Sequence, residues 1–274
     1  MNNLHRELAP ISDEAWTEIE EETARTLRRY LAGRRVVDVH GPGGPSLACV
    51  GTGHLRDIES PADGVRARQR EVLPLIELRV PFTLDRQQID DVLRGSEDPD
   101  WQPARDAARR IAFAEDRAIF AGYAAAGIAG ITAGASNAAV ALPAEVADYP
   151  MAFAAAAGEL RAAGVDGPYT AVLSAEAYTA VSEASDHGYP VITHLSKVLD
   201  GELIWAPAIT GAIVVTTRGG DFSLHLGQDL SIGYQSHTDT EVVLYLQETF
   251  TFQMLTAEAA VPLTAAGSSA AGGR

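Results

Sequence analysis

"ACVGTGHLRDI", residues 48–58, and "VRARQREVLPLIELRVPFTL", residues 65–84, flank the turn cluster "ESPADG" at 59–64. Both runs read as strands and the tip as turn chemistry, so the segment predicts one long hairpin. It is rich in charge and poor in apolar residues, so folding back on itself buries little. A two-stranded ribbon is marginal alone. A monomer has little use for such an arm, whereas an arm lying on a neighbouring subunit has a partner. The hairpin points towards an assembly.

Upstream, residues 12–32 predict a helix. Ser12 is a good N-cap, Asp13 and Glu14 fill the first turn, and Gly33 follows the last apolar residue. Trp16, Ile19, Thr23, Leu27, Tyr30 and Leu31 fall on one stripe. Acids crowd its first half and arginines its second, which complements the helix dipole. Downstream, a spine helix is expected from about Gln102 to Ala126, with Pro103 in its first turn and an Asp106–Arg110 pair at i,i+4. Helices and short strands then alternate up to "AIVVTT" at 212–217, as in α/β segments. Strands dominate from Phe222 to Met254, and the tail "LTAAGSSAAGGR" reads as disordered.

The 274 residues carry a net charge of −16, which repels nucleic acid and anionic membrane alike. Residues 118–143 hold no charge, but Ala, Gly and scattered polar residues make them too weakly apolar for a membrane span. Nothing at the start resembles a secretory signal. The single cysteine, Cys49, fits a reducing cytosol and reads as a buried or inert thiol.

No catalytic set emerges. None of the seven histidines stands at metal-ligand spacing, and Pro190 breaks any helix shared by His187 and His194. "GTGHLR" lacks the third glycine and the βαβ setting of a dinucleotide site, and "GASNA" lacks the last glycine of a nucleophile elbow. The acid pairs Asp90–Asp91 and Glu115–Asp116 read as solvated faces or salt-bridge partners. In "GGDFSLHLGQDLSIGY", residues 219–234, the glycines look like hairpin punctuation before a period-two strand, since a phosphate cradle leads into a helix. Asp229 stands where Leu230 and Ile232 begin another strip. It suits a peptide-docking edge or a turn carboxylate equally well.

"LAP" at 8–10, "GRRVVDV" at 33–39, "PLIELRVPFTLD" at 74–85, "VDGPYT" at 165–170, "RGGDFSLHLGQDLSIGY" at 218–234 and "ETFTFQ" at 248–253 together resemble the encapsulin shell proteins, of the mycobacterial and actinobacterial type. The resemblance spans Met1 to about Leu263 in order and spacing. It implies an α+β chain with the tailed-phage major capsid (Hong Kong phage type) fold. A peripheral domain is expected in three pieces, 1–47, 77–130 and 226–263, with an extended loop at 48–76, an axial domain at 131–225 and a tail at 264–274. It implies a non-enzymatic subunit of an icosahedral compartment, on the order of sixty copies, standing in the cytoplasm. The shell would enclose a dye-decolorizing peroxidase, a ferritin-like protein or another redox or iron-storing cargo.

In that family the N-terminal helix and a C-terminal strand form a groove for the C-terminal peptide of the cargo. On this chain the resemblance gives Leu27, Leu31, Leu230 and Ile232 as apolar pockets and Arg34, Asp38 and Asp229 as polar anchors. The three polar residues could instead pair with one another. "SDHGYP" resembles the five-fold pore loop, which would place Asp186, His187, Gly188 and Tyr189 around an opening. Some encapsulins stack a flavin on a tryptophan after "FTLD". Arg86, Gln87 and Gln88 stand here, so no cofactor and no metal are expected. Two rival readings are a secreted bacteriocin-like protease and a prophage capsid subunit.

Overall fold

Ser12 begins the first helix as its chemistry demands: its Oγ accepts from Ala15 N at 3.2 Å, and α1 runs Asp13–Tyr30. The structure, a computed structural model, describes residues 3–265. The helix stops short of the expected 32. Leu31 turns extended, and a 3-10 turn at Gly33–Arg35 leads on to β1 (Asp38–His40). The arm consists of β2 (Cys49–Ile58) and β3 (Ala67–Pro74), and after Leu75 the chain continues as β4 (Ile76–Asp85). Then come α2 (Arg86–Leu93), the spine helix α3 (Gln102–Phe120), the single turn α4 (Ile131–Gly134), β5 (Val140–Leu142), α5 (Tyr149–Ala162), β6 (Tyr169–Leu173) and α6 (Ala175–Glu183). The described residues continue through β7 (Ser185–Asp186), β8 (Tyr189–Pro190), α7 (Val191–Val198), β9 (Leu203–Trp205), β10 (Ala212–Thr216), β11 (Phe222–Leu226), β12 (Ser231–His237), β13 (Glu241–Met254) and β14 (Ala260–Ala265).

Strand β13 organises the first sheet. One edge pairs with β4, and the other pairs first with β12 and then with β11, which β1 joins in parallel. Helices α1 and α3 cover this sheet: Trp16, Ile19 and Ile111 pack with Phe82, Leu84, Ile232 and Leu244. A second sheet, in the order β5–β14–β10–β6–β9, packs under α5 around Phe153, Val172 and Val214. The same apolar cluster takes in Phe222 and Phe250 from the first sheet, so the two sheets share a core.

Several expectations change. Gly219 and Gly220 do not close a hairpin: at φ +87° and +82° they carry the chain from β10 in the second sheet to β11 in the first. The boundaries expected at 225 and 263 accordingly miss the sheet boundaries. β11 lies with the first sheet and β14 with the second, because pairing partners and not chain order decide membership. The run 65–84 is two strands, since β4 leaves the arm to pair with β13. Cys49 is exposed at the foot of the arm, opposite Pro74. Arg110 donates to the Asp106 carbonyl and not to its carboxylate, which accepts from Gln102 Nε2. The spine helix ends at Phe120, with a separate 3-10 turn at Ala124–Ala126. The tail read as disordered lies, from residue 266 on, outside the described residues. Among the described residues no helix is long and apolar enough to cross a membrane.

Phe250 is fully buried where the two sheets meet. Phe250→Ala is expected to cost about 3–5 kcal/mol, read as a lowered denaturant midpoint of the purified protein.

Candidate functional site

The apolar stripe of α1 continues beyond what the sheet covers. Thr23, Ala24 and Leu27 face Leu230, Ile232 and Leu246 across a groove of about 280 Å³. The N-terminal segment forms a third wall. Leu4 lines the groove, and its carbonyl accepts from Tyr234 N at 2.8 Å, laying the segment along the edge of β12. Arg6 pairs with Glu20 at the rim. Of the residues expected here, Leu27 and Leu230 are half-buried and Ile232 is buried. Leu31, already outside the helix, is not among the lining residues.

Beside Leu230 the walls give way to a charged node. Arg34 Nε reaches both Glu115 oxygens, at 2.9 and 3.0 Å, and Nη2 reaches Glu115 Oε2 at 2.6 Å. Nη1 donates to Asp229 Oδ1 at 2.8 Å, and Nη2 lies 3.3 Å from Glu248 Oε2. One guanidinium thus ties together the turn after α1, the spine helix, the loop before β12 and strand β13. Burial works against its charge, but the hydrogen bonds and charge of Glu115, then of Asp229, raise its pKa. Burial first, then the Glu115 carboxylate, pushes Glu248 well above the ordinary carboxylate range, with Arg34 opposing. Glu248 Oε1 is buried with no hydrogen-bond partner among the described residues.

Asp229 takes the turn role, and it pairs with Arg34 as the alternative to peptide anchoring allowed. Its carboxylate accepts from Leu230 N at 2.8 Å, a turn role, while it also holds Arg34. Asp38 takes no part in the node: it accepts from Gly220 N at 2.6 Å, bracing the crossover into β11. Asp116 accepts from Gly33 N at 2.8 Å and Ala32 N at 3.0 Å, holding the turn that presents Arg34. Burial raises its pKa to about 7 despite those bonds. A Cβ on Gly33 would stand 2.6 Å from Ile119 Cδ1, so only glycine admits so close an approach to the spine.

Glu115, Asp116 and Glu248 were not singled out as site residues by the sequence, although each left a signal. Glu248 interrupts the series Val242, Leu244, Leu246, Phe250, Phe252, all buried and all at period two. Glu115 lies four residues from both Ile111 and Ile119 on the apolar face of α3. A carboxylate on a core face needs a cation, and Arg34 supplies it.

The residues expected around a pore form a separate feature. Ser185–Asp186 pairs with Tyr189–Pro190, and His187 and Gly188, at φ +46° and +83°, make the two-residue tip. The His187 side chain is 99% exposed, 3.7 Å from Asp186, and Tyr189 packs on His194 at 4.7 Å. Arg86, Gln87 and Gln88 open α2 beneath its Asp85 cap. Among the described residues no three His, Cys, Asp or Glu side chains converge as metal ligands would.

A family model described as "Encapsulating protein for peroxidase" matches residues 1–251. The chain is 60% identical over 263 residues to the type 1 encapsulin shell protein of Rhodococcus erythropolis, covering 96% of this chain and 100% of that one. It is 58% identical over 264 residues to the type 1 encapsulin shell protein of Mycobacterium tuberculosis, with the same coverage. In structure it is similar to a virus-like particle from Pyrococcus furiosus, with a TM-score of 0.62 at 16% identity over 90% of this chain and 98% of that one. It is also similar to the capsid of Myoviridae phage XM1, with a TM-score of 0.55 at 12% identity over 85% and 90%. These likenesses place the chain in the tailed-phage capsid fold.

Two outcomes follow from the charged node. Arg34→Ala strands Glu115 and Glu248 without a cation, and a loss of about 3–5 kcal/mol at neutral pH is expected. That loss should shrink as the carboxyls take up protons in acid; denaturant midpoints at several pH values measure it. Asp116, raised to about 7 from 3.8, keeps its proton in the native state over a range where the unfolded chain has lost it. Its contribution is therefore present in acid and lost as pH rises through about 7. The fall in melting temperature on going from pH 5 to pH 8 should be shallower in Asp116→Asn than in the parent.

Proposed function

The chain belongs to the encapsulin shell-protein family, and from that premise we propose that the groove between α1 and β12 receives the C-terminal peptide of a cargo protein. It is a self-assembling shell subunit on a capsid fold, a structural protein and not an enzyme, so the protease reading falls away. What supports the groove as docking site is its composition. Leu27, Leu230 and Ile232 offer apolar anchors in one trough, with Asp229 at its side to set register by charge. Many copies of one groove in one shell multiply a weak contact for an oligomeric cargo.

On this reading the cargo is a peroxidase of the dye-decolorizing type or a ferritin-like protein, the shell stands in the cytoplasm, and no resident flavin is needed at Arg86–Gln88. Copies of Asp186, His187, Gly188 and Tyr189 would ring the five-fold opening, a polar mouth of exposed side chains. Sixty copies of the 29.0 kDa chain make a particle of about 1.7 MDa.

Light scattering on a sizing column, with electron micrographs of the same peak, is expected to find uniform hollow particles of that mass. A uniform particle of another mass would remove the sixty-copy expectation alone. For the groove, the shell is co-expressed with a fluorescent protein carrying the C-terminal tail of a dye-decolorizing peroxidase. Leu230→Asp should give particles of unchanged size that carry less fluorescence. Equal loading in parent and variant would remove the groove from the reading.

A further inference from the structure

Helix α1 carries three threonines, and two of them behave alike. Thr17 Oγ1 donates to the Asp13 carbonyl at 2.8 Å and Thr26 Oγ1 to the Glu22 carbonyl at 3.0 Å, the usual bond one turn back. Thr23 does not follow them. Its residue is 3% exposed, its hydroxyl oxygen is closed to water, and that oxygen has no hydrogen-bond partner. A hydroxyl that has lost water without gaining a partner costs stability, and buried polar side chains are seldom left so.

Thr23 stands on the floor of the groove, between Glu20 and Leu27 on the same helical face. The other polar side chains around it are committed. Ser231 Oγ donates to the Asp229 carbonyl at 2.7 Å, and Arg6 and Glu20 hold each other. Everything else lining the groove is aliphatic. A peptide that fills the trough with apolar side chains brings its backbone amides and carbonyls out of water, and each then requires a partner. We infer that Thr23 Oγ1 is the groove's polar specificity determinant, taking a hydrogen bond from or to a main-chain group of the bound segment. That oxygen is closed to water in the empty groove, so reaching it requires the lining side chains to part, and the hydroxyl rewards an occupant that inserts fully over one that only rests on the rim.

This inference rests on the groove as the cargo-peptide site and adds to it a stated atom. It also explains why a threonine stands in a stripe otherwise made of Trp16, Ile19 and Leu27. Valine fills the same space, and in an empty groove it would be the better residue, because it leaves no unpaired hydroxyl.

The test uses whole shells co-expressed with a fluorescent protein bearing the C-terminal tail of a dye-decolorizing peroxidase, at limiting expression of the tagged protein. Thr23→Val is expected to lower loading about three- to tenfold, the worth of one neutral hydrogen bond. Thr23→Ser should restore it, and empty Thr23→Val particles should melt no lower than the parent. The opposite signs in loading and in melting are what a merely structural threonine would not give. Loading by Thr23→Val equal to the parent overturns the role of Thr23 while leaving the groove in place. Failure of the parent itself to load the tail removes the groove reading, and this inference with it. Should Thr23→Val yield no particles, Thr23→Ala is compared with Thr23→Ser, and equal loading there overturns the inference as well.

Discussion

The fold depends on one guanidinium. Arg34 meets Glu115, Asp229 and Glu248, and those three carboxyl groups come from the spine helix, the loop before β12 and the long strand β13. Two of them have fully buried side chains, so the arrangement depends on the cation being held at hydrogen-bonding distance. Its geometry is fixed from behind, by the Asp116 bonds to the turn and by the contact of Gly33 with Ile119. Replacing so many buried charges with apolar residues could leave the core as stable. What the node adds is a fixed distance between the end of α1 and the start of β12, the two edges of the groove.

That coupling gives the groove its two unlike halves. At one side the walls are aliphatic. At the other, Asp229 is pinned by Arg34 and by Leu230 N, so the charged marker cannot drift. On the proposed reading a docking site gains from this division: apolar walls would accept the side chains of a short segment, and a fixed charge would set its register.

The sequence disclosed the pieces better than their pairing. Ser12 as a cap, the stripe of α1, the spine and the arm all follow from local chemistry and could be read residue by residue. Membership of the sheets could not, because β11 and β14 are assigned by partners far away in the chain, and a Gly-Gly turn looks the same in a hairpin as in a crossover. The groove residues Leu27, Leu230 and Ile232 came through family resemblance, and the structure brings them together. Leu31 and Asp38 stand outside that set, since the helix ends early and Asp38 braces Gly220. The buried carboxylates were legible as pattern faults in α3 and β13, but a fault becomes a site only when its counter-ion is known to arrive from another part of the chain.

The arm completes the physical case for assembly. Leu55, Ile58, Val65 and Val72 stand on β2, on β3 and in the connection between them with 46–51% of their surface in water, in a ribbon that among the described residues has two strands. An isolated ribbon of this kind is marginal, and exposed apolar side chains add to its cost. In a self-assembling shell the same features favour closure. An arm laid on a neighbouring copy would gain a partner there, and each copy would gain one in turn, so an open edge of the shell would carry unsatisfied arms. A closed particle has none. With the arm so placed, the residues that make the lone subunit look unfinished would be the ones that favour a complete shell over any fragment of it.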